Sequence, residues 1–314
     1  MRLDHAIFQS PLKPTIQLHE LPTPAGYRHY HAGRALPATL SVWTVQTGEL
    51  GKSVDYGLVA TPGGFEDTPD TEWISGGINS KGPDSVALGR HGNWFLWGFA
   101  GDPGQLTDSA RQVFLNTLVW MRQFDGQNPE GVAGMERPPA REQMLDYVAF
   151  VEAYANEPQV LSWVKQQFPA DVWEECAGDA ARLREWYEER LGFLRPIRQK
   201  QKLDQGGGKF REFEQDVLQV DPLLEHLGVA NRSPELFEQI DWLLREPQSP
   251  AVIELRKTVA TDVPDGRLAE TLIERYLPAG APTSADALKA WLAERKERLY
   301  FSDTRGYRWF VKAR

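Results

Sequence analysis

The segment GQNPEGVAGMERPP, residues 126–139, is so rich in glycine and proline that neither a helix nor a strand runs through it, and it divides the chain into two stretches of different grammar. Before it lie short, partly alternating runs bounded by turn residues: TIQLHEL (15–21), LSVWTV (40–45), YGLVAT (56–61), SVALGR (85–90) and NWFLWGF (93–99). Such runs predict β-strands. The last two read as a hairpin turning at His91-Gly92, and GGINSKGPDS (76–85) ahead of them reads as a long loop. One helix closes this half. In LTDSARQVFLNTLVWMRQF, Thr107 or Asp108 can cap the start, Val113, Phe114, Thr117, Leu118 and Met121 recur at helical spacing, and Gly126 is a stop.

After the break the pattern is helical. REQMLDYVAFVEAYANE (141–157) and DAARLREWYEERLGFL (179–194) are amphipathic. SPELFEQIDWLL (233–244) opens with Ser233 as cap and Pro234 at the first helical position, and TSADALKAWLAERKERL (283–299) starts in the same way. LDQGGGKF (203–210) reads as a flexible break between helices. The aromatic-rich end, 299–312, predicts a β-hairpin turning around Asp303 and Gly306. The expected organisation is an α/β domain at 1–126, a linker at 127–139, and a mainly α-helical domain at 140–314 that ends in the hairpin. With 314 residues there is room for both.

The charge balance removes several function classes. The net charge is −9 with no basic patch, which argues against a nucleic-acid partner. A single cysteine, Cys176, excludes an internal disulfide and a multi-cysteine metal site. No apolar run reaches 18 residues, so no membrane span is expected, and MRLDHAIFQSPL lacks the apolar core of a signal peptide. A soluble chain is expected, with the compartment open and an exported parent protein not ruled out by the residues. Eleven tryptophans supply large rings for core packing.

Two places carry a family resemblance. DHAIFQS near the start resembles the short HP-I-x-x-G turn of ThuA-like domains, which belong to the class I glutamine-amidotransferase-like group. GNWFLWGFAGDPGQLTDSARQVFLNTLVWM (92–121) resembles the closing strand, loop and helix of the same domains. The resemblance spans about 115 residues and only the later half of that fold. It implies a partial flavodoxin-like sheet, with ligands expected at the carboxyl ends of the strands. The half that holds the nucleophile has no counterpart. The later segments VDPLLEHLGVANRSPELFEQIDWLL and LYFSDTRGYRWFVK resemble C-terminal regions of uncharacterised bacterial proteins, which imply no mechanism.

The chemistry-bearing residues are few. Glutaminase chemistry needs a cysteine on a strand-to-helix elbow and a His-x-Glu pair. Cys176 sits in a helical, acid-crowded context and no His-x-Glu occurs. QTGELGKS (46–53) has the Gly-Lys-Ser of a P-loop but neither its first glycine nor the following helix, and reads as a turn. GYRHYH (26–31), if extended, puts His29 and His31 on one face at the spacing of two ligands to one divalent metal, with Asp67, Asp70 or His91 to complete the set. The acids of GFEDTPDTEW (64–73) read first as a solvated turn and second as paired carboxylates. Asn79, Lys81, Arg90 and Asp102 are the polar side chains suited to an anion or a sugar hydroxyl. Tyr307 and Trp309 read first as core, and second as a stacking face for a sugar or protein. Two functions remain: a non-catalytic binding or interaction protein on a degenerate ThuA-like domain, with a protein or carbohydrate ligand, or a hydrolase or lyase acting on a carbohydrate or polyhydroxy compound through His29, His31 and the acidic turn.

Overall fold

The computed structural model describes residues 1–47, 57–63, 65, 67–130, 137–204 and 210–312. The Gly-Lys-Ser turn at 51–53, Gly64 and Glu66 of the acidic segment, and the glycines at 206–208 fall outside these residues. The chain forms two compact units, Met1–Val132 and Ala133–Arg314. The order of classes is the one read from the sequence: a strand-bearing first part, a mostly helical second part and a terminal β-hairpin.

In the first unit, β1 (Leu18–Pro22) pairs antiparallel with β2 (Thr39–Trp43). A second sheet is a meander of β3 (Thr71–Ser75), β4 (Leu88–His91) and β5 (Trp94–Trp97), also antiparallel. The described pairings are all antiparallel and so differ from the parallel strands of a flavodoxin-like sheet, which crossover helices join. The β4–β5 turn falls at Gly92-Asn93, one residue later than the sequence suggests. Gly92 has φ +56°, and a Cβ there would stand 2.7 Å from the Pro129 nitrogen. YGLVAT contributes a single bridge, Ala60 to Val86.

The helix α1 (Asp108–Met121) is capped by Thr107, whose side chain accepts from the Ala110 amide. It buries Ala110, Val113, Asn116 and Thr117. Ile7, Phe8, Ile74, Leu88 and Val113 form the core, walled by Trp43, Phe95, Trp97 and Trp120. Asn116 ties the N-terminal segment to it: Nδ2 donates to the carbonyls of Ile7 and Leu12, both at 2.9 Å, and Oδ1 accepts from Leu12 N at 2.8 Å.

The second unit has two cores. Helices α2 (Arg141–Ala153), α3 (Pro158–Lys165), α4 (Ala170–Glu175) and α5 (Ala180–Arg190) pack around Met144, Val148, Val164, Leu183 and Tyr187. Helices α6 (Pro222–Leu227), α7 (Glu235–Arg245), α8 (Pro250–Thr258), α9 (Leu268–Tyr276) and α10 (Ala285–Arg295) pack around Leu224, Leu236, Ile240, Leu272 and Leu288. Between α5 and α6 runs a hairpin that the sequence reading does not contain, β6 (Leu194–Asp204) with β7 (Phe210–Val220). LDQGGGKF therefore connects two strands and not two helices. The base is held by buried Leu194, Val217 and Leu218, while Arg198 and Lys200 stand in register with Asp216 and Glu214.

The terminal hairpin, β8 (Leu299–Ser302) with β9 (Arg308–Val311), joins the two cores. Tyr307 is buried in the first, Trp309 in the second, and Phe301 packs against both. These rings are core, the first of the two readings of the sequence. No helix among the described residues is long and apolar enough to cross a membrane.

Candidate interaction surface

The strand expected for GYRHYH is not formed. Ala25–His29 is a one-turn 3-10 helix and Ala32–Ala35 is another, so the period-two geometry that would have put His29 and His31 on one face is lost. Both histidines and Asp67 have interaction partners within the protein. Among the described residues no group of three or more His, Cys, Asp or Glu could hold a metal ion.

The loop at 76–85 is ordered by its own polar groups. Asn79 donates through Nδ2 to the carbonyls of Gly77 (2.7 Å) and Gly82 (3.1 Å), its backbone N–H donates to the Tyr27 hydroxyl at 3.0 Å, and Oδ1 accepts from Lys81 N at 2.6 Å. Lys81 Nζ reaches the Val59 carbonyl at 3.3 Å. Asp102 precedes a one-turn 3-10 helix, and its N–H donates to Gln105 Oε1 at 2.9 Å. These residues complete turns instead of converging on a ligand.

Asp70 and His91 do meet, because β3 and β4 are neighbours. Nε2 of His91 lies 3.4 Å from Asp70 Oδ1 and donates to the Glu130 carbonyl at 2.7 Å, while Asp70 Oδ2 accepts from Glu130 N at 2.8 Å. The pair anchors the segment after α1. Arg90 is nearly buried: its guanidinium lies 3.9 Å from the centroid of Phe124, and Nη1 donates to the Gly92 carbonyl. The acidic segment is not simply a turn, since Glu72 lies on β3 and faces His5, whose Nε2 is 3.2 Å from Oε1. His5 Nδ1 accepts from Ile7 N, which puts the proton of the neutral ring on Nε2 and leaves no free nitrogen for base catalysis. Burial lowers the His5 pKa, Glu72 opposing.

The second unit holds two buried ionic networks. Arg141 Nε and Nη2 grip the two oxygens of Asp303 at 2.8 and 2.6 Å, Nη1 donates to Leu191 O and Nη2 to Asn231 Oδ1. Asp221 caps α6 at Leu223 N and accepts from Tyr276 OH (2.5 Å) and Arg275 Nη1 (2.8 Å). Both join elements of the helical cores. A cleft of about 670 Å³ opens near Leu243, Val252, Leu268, Arg256 and Arg267. Arg256 is engaged by the Gly266 carbonyl and Arg267 by Asp265. Cys176 is buried, and desolvation raises its thiol pKa, the reverse of an activated nucleophile.

What remains is apolar. On α1, Leu115, Leu118 and Val119 are 50, 53 and 55% exposed. Their i, i+3, i+4 spacing puts them on one face, opposite the buried one. Arg111 and Arg122, both exposed, bracket them. The helical spacing in the sequence places Leu118 on the inner stripe, and the structure corrects this. The signal for the outer face is that FLNTLVWM is apolar almost all the way round, so a helix with one side against a sheet must leave apolar groups outside.

Compared with known proteins, the chain matches no family model, no curated protein and no solved structure.

Proposed function

We propose that this protein is a non-catalytic interaction protein that engages a protein partner through the outward face of α1. The observation that carries this is the row Leu115, Leu118 and Val119, half exposed and contiguous on one helical face. Leaving three half-exposed aliphatic side chains in water forgoes about 0.8–1.5 kcal/mol for each one that could be buried, and a contiguous apolar patch marks a candidate contact surface. The polar candidates support the same reading, since the side chains of Asn79, Arg90 and His91 make internal hydrogen bonds. This function does not depend on the ThuA-like resemblance.

The test is affinity capture from the source cells with the wild-type chain and a Leu115→Glu/Leu118→Glu variant, each checked for native circular dichroism and melting temperature. A partner, a second copy of the chain included, retained by the wild type under chemical cross-linking and lost with the variant is expected. Equal recovery by both proteins would overturn the proposal.

A further inference from the structure

We infer that the partner of the α1 stripe is a second copy of this chain, the two helices lying antiparallel and crossing at Leu115. This rests on α1 being the interaction face. The grounds are in the charges that flank the stripe. Asp108 stands seven positions before Leu115 and Arg122 seven positions after it. Seven residues are close to two turns, so both share the face of Leu115. When two such helices cross antiparallel at Leu115, Asp108 of each copy stands opposite Arg122 of the other. Two-fold symmetry makes this ion pair twice. Leu118 of each copy then lies beside Leu115 of the other, and Val119 meets the aliphatic stem of Arg111.

Two alternative arrangements are opposed by the same charges. A parallel pairing sets Asp108 against Asp108 and Arg122 against Arg122. An antiparallel pairing displaced by one turn, with Leu115 opposite Leu118, sets Arg111 against Arg122. Like charges face to face disfavour both. Asp108 is free to turn outward, because its side chain is 87% exposed and its contact with Arg111 is a surface pair of little worth. A face of three aliphatic side chains on a helix about 21 Å long supports a weak dimer and not an obligate one.

Sedimentation velocity of the full chain from about 1 to about 300 µM tests this. The wild type is expected to pass from monomer to dimer, and Leu115→Glu to stay monomeric. Asp108→Arg and Arg122→Asp should each weaken the dimer at least about tenfold. The double swap Asp108→Arg/Arg122→Asp should restore it to within about threefold, because complementarity returns. The substituted positions are all exposed, and unchanged melting temperatures confirm folding. A wild type monomeric at every concentration, a dimer indifferent to Leu115→Glu, or a double swap no tighter than the single variants would each overturn the inference. A monomeric wild type whose capture of another protein is lost with Leu115→Glu/Leu118→Glu would sink self-association and leave the interaction function standing. Failure of both measurements would remove both.

Discussion

Arg141 and Asp303 form a forked, buried ion pair, Nε to Oδ2 at 2.8 Å and Nη2 to Oδ1 at 2.6 Å, across 162 positions of sequence. The Arg141 side chain is fully buried, and its guanidinium also lies over the rings of Phe301 and Tyr307. It links α2 to the turn of the terminal hairpin, which in turn supplies Tyr307 and Trp309 to the two helical cores. Asp303→Asn leaves the guanidinium buried without its counter-charge. The expected loss is about 3–5 kcal/mol of second-unit stability, read from urea unfolding. The double replacement Arg141→Met/Asp303→Leu should cost less than the single one, since no charge is left stranded.

His5 gives the first unit a pH dependence of defined sign. Its ring packs edge-on against Trp120 with centroids 4.7 Å apart, and burial holds its folded pKa below the ordinary 6.5. The unfolded chain therefore takes up the proton first. Stability from this group is complete above pH 6.5 and falls as pH drops through the lowered folded value, with a slope of at most about 1.4 kcal/mol per pH unit. Thermal unfolding followed by tryptophan fluorescence at pH 7.5 and 5.5 (both about the ordinary histidine range) should show the drop in wild type and a smaller one in His5→Gln.

Asn116 satisfies three backbone groups of the N-terminal segment from within a helix. Asn116→Leu keeps the branching and heavy-atom count of the side chain and removes every one of these bonds. The expected cost is about 2–4 kcal/mol, with faster hydrogen exchange at the Leu12 amide.

The β6–β7 ribbon carries a cross-strand charge ladder, with Arg198 Nη1 3.4 Å from Asp216 Oδ1 and Lys200 in register with Glu214. Lys200→Glu sets like charges opposite each other and should cost about 0.5–1 kcal/mol. Lys200→Glu/Glu214→Lys should recover most of it. Urea midpoints of the three chains decide this.

This ribbon also shows where the sequence is hard to read. RQKQKLD (198–204) and FREFEQD (210–216) hold few apolar residues, so the period-two signal of a strand lies in charge pairing between segments and not in either segment alone. β3 is hidden similarly, its Glu72 reading as one acid of a turn although it lies on a strand and faces His5 of the N-terminal segment. The terminal hairpin and helix α1 are legible because their signals are local: Thr107 before α1 and aromatic alternation at 299–311. The GYRHYH reading fails because alternation of two histidines carries no apolar partner positions to force an extended chain, and the backbone turns instead. On α1 the pattern marks the helix but not its inward side, which is chosen by Asn116 bonding the N-terminal segment and by Val113 entering the core.

The interaction face of α1 is tested most directly by site-specific photo-cross-linking in the source cells, with a benzophenone amino acid placed singly at Leu115, Leu118 or Val119 and, for comparison, at the exposed positions Thr39 and Asn128. The account predicts a discrete cross-linked species at the α1 positions, whether to a second copy or to another protein, and none at the comparison positions. Cross-linking that is absent from all three α1 positions, or equally strong at Thr39 and Asn128, would contradict it.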